Sequence, residues 1–396
     1  MKRIVFVDDD PSVLEGLRRM LRPHRNHWDM RFAGGGEEAL AILAREPCDV
    51  VVTDMRMSGL DGAQLLERVR DQYPGVVRIV LSGYCEMEAT LRAVKVTHQF
   101  IQKPADGERL RQAIDRACGL TSVLKDETIR KVVGALGVLP CMPRVATALM
   151  RALDDGNVGI SEVGRIISQD VAISAKVMQL VNSAFFGRMQ QVTTIQSAVS
   201  FLGVDVLKQL VVTAEIFRAF QPADAAVGFS LAAFQDHAHV AARIAGRLPL
   251  SCRAAQTATV ASLLHDVGKL VLASLLARQF QQALREAEAR GLPLHVTEEE
   301  LLGASHAEIG AYLLGLWGLP PAIVSAVARH HHPAVEKDDD PRFGAPAAVY
   351  FANALAHVYT DGAAAAPVDM EYAEALGVAG EIASWQAFAE PDGEAG

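Results

Sequence analysis

Residues 50–54 read Val-Val-Val-Thr-Asp, a run of β-branched side chains that stops at a carboxylate and gives way to a polar, glycine-containing turn. An apolar run without alternation suits a strand buried on both faces of a parallel sheet. Taken alone, an acid in that place caps the following helix. Asp54 is not alone, because Asp8, Asp9 and Asp10 close an earlier strand-like run at residues 3–7. Ligands of open parallel sheets bind outside the carboxyl ends of the strands, which is where both groups of acids fall.

Further strand-like runs occur at residues 30–33, 77–81 and 99–101, and helical periodicity fills residues 12–21, 37–45, 63–72, 86–96 and 107–118. Five βα units predict an α/β unit over residues 1–120, a doubly wound five-stranded parallel sheet with right-handed crossovers. Asp8, Asp9, Asp54, Ser82 and Lys103 all follow strand ends and therefore converge on one edge. Adjacent carboxylates repel unless a hard cation neutralises them, and Mg²⁺ takes one or two carboxylates with water and phosphate oxygens. Lys103 would pair with a phosphoryl group and Ser82 would offer it a hydroxyl. Asp54 would then be a carboxylate nucleophile that forms an acyl phosphate.

The stretches VDDDP (7–11), TDMRMSGLDG (53–62), LSGY (81–84) and FIQKP (100–104) resemble the flavodoxin-like receiver domain of two-component response regulators. The resemblance implies that Asp54 is the phosphoacceptor and that a sensor histidine kinase is the partner. It implies that Asp9, Asp54 and the backbone carbonyl of Arg56 hold Mg²⁺, with Asp8 acting through water. Ser82 becomes the switch hydroxyl, Phe100 the switch aromatic, and Lys103 the phosphate-pairing lysine before a cis Pro104. Ser58 stands where the family has proline, which is expected to loosen the loop slightly.

Beyond residue 120 the pattern changes. Residues 121–133 predict an amphipathic connecting helix, within a linker spanning 121–134 that ends near Gly134 and Gly137. Apolar residues then recur at helical spacing through 144–153, 163–167, 173–181 and 198–220, predicting an all-α unit of about ten helices over residues 135–360. The fold expected is α/β followed by all-α.

Histidines are spaced suggestively in this second unit. His237, His265-Asp266, His306 and His330-His331 lie at or near apolar helical segments, and imidazole with carboxylate suits Zn, Fe or Mn. Each has a plainer reading as well: Ser305–Glu308 is a capping-box pattern, and His330 to His332 before Pro333 suits a solvated helix end. Together, TATVASLLHDVGKL (257–270) and these residues resemble the HD metal-phosphohydrolase superfamily. More of the unit resembles its HD-related output branch, HDOD: LPCMPRVATALMRALDD (139–155), IISQDVAISAKVMQLVNSAFFG (166–187), IQSAVSFLGVDVLKQLV (195–211) and FQDHAHVAARIA (234–245). Catalytic HD proteins complete their metal site with a late Asp, and Asn353 stands there. No Gly-Tyr-Pro follows His330-His331. The resemblance therefore implies a vestigial site holding divalent metal weakly, and an output that works by protein or ligand binding. Phosphorylation-controlled, metal-dependent phosphohydrolysis is the competing expectation.

Charge narrows the partners. Eight acids and no Lys or Arg lie in residues 361–396, leaving 39 acids against 38 bases in the body. No basic stripe appears, so direct nucleic-acid contact is not expected. Five dispersed cysteines without a C-x-x-C pair fit reduced thiols. No signal-peptide pattern or membrane-spanning run is read, so a cytoplasmic protein without membrane insertion is expected. The downstream partner is open and a homodimer is possible. The acidic segment contains one helical stretch, 370–389, expected to dock on the output unit, with the last seven residues fraying.

Overall fold

The computed structural model describes residues 1–82, 93–103, 107–120, 123–137, 139–154, 158–182, 192–203, 207, 218–219, 228–332, 343–361 and 368–390. The first unit alternates strand and helix: β1 (Lys2–Val7), α1 (Pro11–Leu21), β2 (Trp28–Ala33), α2 (Gly36–Arg45), β3 (Val50–Asp54), α3 (Gly62–Gln72), β4 (Val77–Ser82), β5 (Gln99–Gln102) and α4 (Gly107–Gly119). The strands pair in parallel in the order β2-β1-β3-β4-β5. Alternate residues of the central strands enter different cores: Ile4, Phe6, Val50 and Val52 one, Val5, Val7 and Val51 the other. Burial on both faces is what the unbroken valine run required. The winding reverses between β1 and β3, and Val7 pairs with Thr53, so Asp8 and Asp54 leave neighbouring strands at that crevice. Most of the expected helix 86–96 lies outside the described residues.

The connecting helix is shorter than the sequence pattern predicts. It is α5 (Glu127–Gly134), and Asp126 starts it by accepting the Ile129 N–H at 2.8 Å. That side-chain cap outweighs the amphipathic pattern of the residues before it. Gly134 has a packing role besides ending the helix, since a Cβ there would collide with the Pro74 carbonyl of the first unit.

The second unit is helical: α6 (Pro143–Asp154), α7 (Ile160–Ile167), α8 (Val171–Asn182), α9 (Ile195–Leu202), α10 (Leu231–Arg247), α11 (Cys252–Leu264), α12 (Val267–Leu275), α13 (Ala277–Arg290), α14 (Leu294–Leu302), α15 (His306–Leu316), α16 (Pro321–Ala328) and α17 (Ala345–Asp361). The expected helix over 198–220 is not continuous. Gly203, at φ 76°, ends α9, and Arg218–Ala219 forms a short parallel pair with Pro140–Cys141. Cys252–Leu275 is long and apolar enough to cross a membrane, but 78% of that window is buried inside the protein.

The expected C-terminal helix also breaks. Gly377, at φ 71°, separates α18 (Met370–Ala375) from a 3₁₀ turn and α19 (Ile382–Trp385). The segment docks: Trp385 is buried against Phe343 and Phe351, and Arg247 donates to the Phe388 carbonyl at 3.1 Å.

Candidate functional site

The first-unit site is assembled by three strand ends. Lys103, just past β5, donates to Asp8 Oδ2 at 2.8 Å and also pairs with Asp54 Oδ1. Burial pushes the Asp54 carboxyl up, and Lys103 opposes that shift. For Lys103, burial acts downward, but the bonds to Asp54 and Asp8 outweigh it and its pKa is raised. Asp54 Oδ2 accepts the Arg56 backbone N–H at 2.9 Å. Gly62 closes the turn, because a Cβ there would strike the Asp54 carbonyl.

Ser58 gives its loop a bond that the expected loosening leaves out. Its backbone N–H donates to Asp9 Oδ2 at 2.7 Å, a bond proline cannot make. That bond holds the Asp9 carboxyl below its usual range. Ser82 ends β4 opposite Gln102, but its side chain and Pro104 lie outside the described residues. Phe100 is buried in one apolar cluster with Val94, Val96 and, from the second unit, Leu180. Carboxylates from two strands and one turn, with a lysine beside them, make a donor set that fits a hard divalent cation and a phosphoryl group.

The second-unit site forms where α10, the α11–α12 junction, the start of α15, the residues after α16 and α17 meet. His237 Nε2 lies 3.2 Å from His265 Nε2 and 2.9 Å from Asn353 Oδ1. Asp266 is central, its Oδ2 3.4 Å from His265 Nε2 and its Oδ1 3.2 Å from His306 Nε2 and 3.6 Å from His330 Nε2. His331 Nε2 faces His306 Nε2 at 2.8 Å. All seven residues expected from the sequence therefore lie in one largely buried cluster.

Outer partners set the tautomers of three imidazoles. His265 Nδ1 donates to the Ser262 carbonyl at 2.6 Å, His330 Nδ1 to the Val327 carbonyl at 2.7 Å, and His306 Nδ1 meets Glu298 Oε2 at 2.5 Å. In a neutral ring, a proton committed outward leaves the Nε2 lone pair facing inward, as metal ligands require. Burial lowers His237 and His331 strongly and takes His330 to about 3, so these rings are neutral. His306 resists its burial through Glu298 and Asp266 and is raised. Against burial, His265 and Lys269 hold Asp266 well below the carboxylate range. Asp266 Oδ1 and His330 Nε2 are buried without a hydrogen-bond partner among the described residues. Two groups, His237/His265/Asp266 and His306/His330/His331, have donor atoms within 4.8 Å of one another. This set fits divalent metal, with Asp266 between the two groups.

Sequence reasoning missed four neighbours. Lys269 Nζ donates to Asp266 Oδ2 at 2.6 Å, and its three-residue helical spacing was a usable signal. The His357 ring lies tilted at 4.2 Å from that of His237, and His295 stacks at 4.1 Å from His331. Glu298 sits in a run of three glutamates that reads as a solvated face, yet it is fully buried.

Comparison with known proteins places both units. Residues 4–115 match the response regulator receiver domain and residues 139–333 match the HDOD domain. An uncharacterized protein of Treponema pallidum is 28% identical over 49% of this chain and 38% of its own length. The transcriptional regulatory protein GlrR of Escherichia coli is 33% identical over 33% of this chain and 29% of its own. The chain thus spans well under half the length of these curated relatives. Among solved structures, the MmoQ response regulator of Methylococcus capsulatus shares the fold at TM-score 0.51 and 24% identity, over 63% of this chain and 98% of that one. Two structural units, each matched by its own family, identify the chain as a two-component response regulator with an N-terminal receiver domain and a C-terminal HDOD domain.

Proposed function

We propose that Asp54 is the phosphoacceptor, taking its phosphoryl group from a sensor histidine kinase. The observation that carries this reading is the Lys103 ammonium shared between Asp8 and Asp54 at the strand-end crevice. A carboxylate oxygen of Asp54 forms the new bond to phosphorus while the bond to the donor imidazole breaks, its electron pair leaving with that ring. Lys103 then exchanges its contact with Asp54 for one with a phosphoryl oxygen. Asp8, Asp9 and Asp54, with the Arg56 carbonyl, would hold Mg²⁺, which supplies charge neutralisation for the transferring group. Intact-mass measurement after acetyl phosphate treatment tests this: labelling requires Mg²⁺ and disappears in Asp54→Asn. Equal labelling of that variant places the phosphate elsewhere.

The HDOD domain acts as the output by protein or ligand contact. Asn353 supports this, because a neutral amide 2.9 Å from His237 replaces the charge a carboxylate would bring. A second reading, metal-dependent phosphohydrolysis, is favoured by the inward-facing Nε2 atoms of His265, His306 and His330. Metal analysis of the untagged protein and a screen of phosphodiesters with Mn²⁺ decide between them. Hydrolysis that depends on His265 establishes the enzyme; bound metal without turnover leaves a binding module.

A further inference from the structure

We propose that α15 carries the state of the receiver to His306, through the hydrogen bond between Gln99 and Leu316. Phosphorylation of Asp54 and metal binding in the histidine pocket would then influence one another. The metal half of this statement rests on the metal-binding reading above.

One helix runs from the histidine site to the receiver's sheet. At 1.5 Å per residue, the 11 residues of α15 span about 16 Å. Its first residue is His306, whose Nε2 faces Asp266 and His331 and whose Nδ1 is held by Glu298. Its last residue is Leu316, whose carbonyl accepts the Gln99 Nε2–H at 3.0 Å in a fully buried bond. Gln99 opens β5 beside Phe100. In the sheet, β5 pairs with β4, and Leu81 of β4 pairs with Asp54. Gln99 is thus two hydrogen-bonded strands from the phosphoacceptor and one hydrogen bond from α15.

Neither end of the helix has slack. At the histidine end, a Cβ on Gly268 would collide with the His306 carbonyl, and one on Gly310 would lie 3.1 Å from the Gly268 nitrogen. At the receiver end, a Cβ on Gly315 would collide with Leu120, and one on Gly318 would lie 3.2 Å from the Gln99 side chain. Trp317, next along, lies 5.0 Å beneath the Lys176 ammonium. Close-packed interiors pass a displacement on, and a helix moves as one body. A shift of β5 therefore has a direct route to the imidazole at the far end. Coupling of this kind is reciprocal in binding free energy.

An intermediate position is not itself evidence of coupling, so the test measures coupling directly. Hydrogen exchange is compared in the full-length protein with and without beryllofluoride as phosphoryl mimic at Asp54. Residues 304–312 should change protection in the wild type and not in Gln99→Leu, which removes the donor but keeps the bulk. If Gln99→Leu does not fold, Gln99→Asn draws the same amide back by one methylene. A response confined to residues near Asp54, or an unchanged response in the Gln99 variant, overturns the proposal. Mn²⁺ affinity, measured by chelator competition, should differ about five-fold or more between the two receiver states. Equal affinity in both states overturns the reciprocal half. If no Mn²⁺ binds at all, the metal-binding reading fails, while hydrogen exchange still decides whether α15 transmits.

Discussion

Lys176 of the HDOD domain donates its ammonium to the backbone carbonyl of Val94 in the receiver, 82 residues earlier, at 3.3 Å. It also donates to the Gly137 carbonyl at 3.2 Å, so one amine ties the receiver to the output and to the stretch just past the connecting helix. Lys176 is buried, and both of these acceptors are carbonyls rather than carboxylates.

Burial lowers the Lys176 pKa to about 7. The folded value lies below the unfolded one, so between about pH 7 and pH 10.5 the unfolded chain binds more protons. Stability contributed through this group therefore rises with pH across that window. Lys176→Met should remove that part of the slope. Denaturant unfolding at about pH 7 and pH 9.5 checks it, with the wild type gaining up to about 3 kcal/mol relative to the variant. Identical slopes would mean that the amine does not titrate there.

Gly62→Ala should destabilise the receiver by about 2 kcal/mol, because the added methyl meets the Asp54 carbonyl and lies 3.0 Å from Met55 Cα. Phosphorylation should slow as well, since relief of the clash displaces Asp54. Gly119→Ala is the control, with nothing within 4 Å of its Cβ. Unfolding midpoints and labelling rates report both effects.

Ser58→Pro removes the N–H that binds Asp9. A carboxylate released from that bond is freer to take a cation. Mg²⁺ affinity should rise roughly two- to five-fold, the worth of one exposed hydrogen bond. Titration of a receiver-domain fluorescence or nuclear-resonance signal with Mg²⁺ measures it; unchanged affinity would show that Asp9 is not a ligand.

Asn353→Asp adds a negative charge beside His237, itself 3.2 Å from His265. Metal content after purification without a His tag should rise, with affinity for Mn²⁺ up about ten-fold or more. Plasma mass spectrometry measures occupancy. No increase would show that the amide is not what weakens the pocket.

Much of the architecture was legible because local chemistry dictated it. Uninterrupted valines demanded a strand covered on both faces, and alternating helix signals left a parallel sheet as the solution. Asp8, Asp54 and Lys103 converge because strand ends in such a sheet share one edge. The HD resemblance named the histidines, Asp266 and Asn353 as candidates, and the structure brings them within contact of one another.

Where the sequence reading went astray, competing local signals were decided by packing or by a glycine. Asp126 capped α5 later than the amphipathic pattern expected, and Gly203 and Gly377 broke two helices that periodicity alone would have continued. Glu298 carried no signal of its own among three consecutive glutamates, and packing alone buried it against His306.

The chain by itself determined the two folds and named the candidate residues that each fold gathers, since strand runs, helical spacing and motif chemistry act over a few neighbours. Only the tertiary structure decided how the sites relate. Gln99 meets Leu316 across 217 residues, Lys176 meets Val94, and Leu180 joins the cluster of Phe100. Those contacts depend on how the domains pack, and no periodicity in the sequence encodes that.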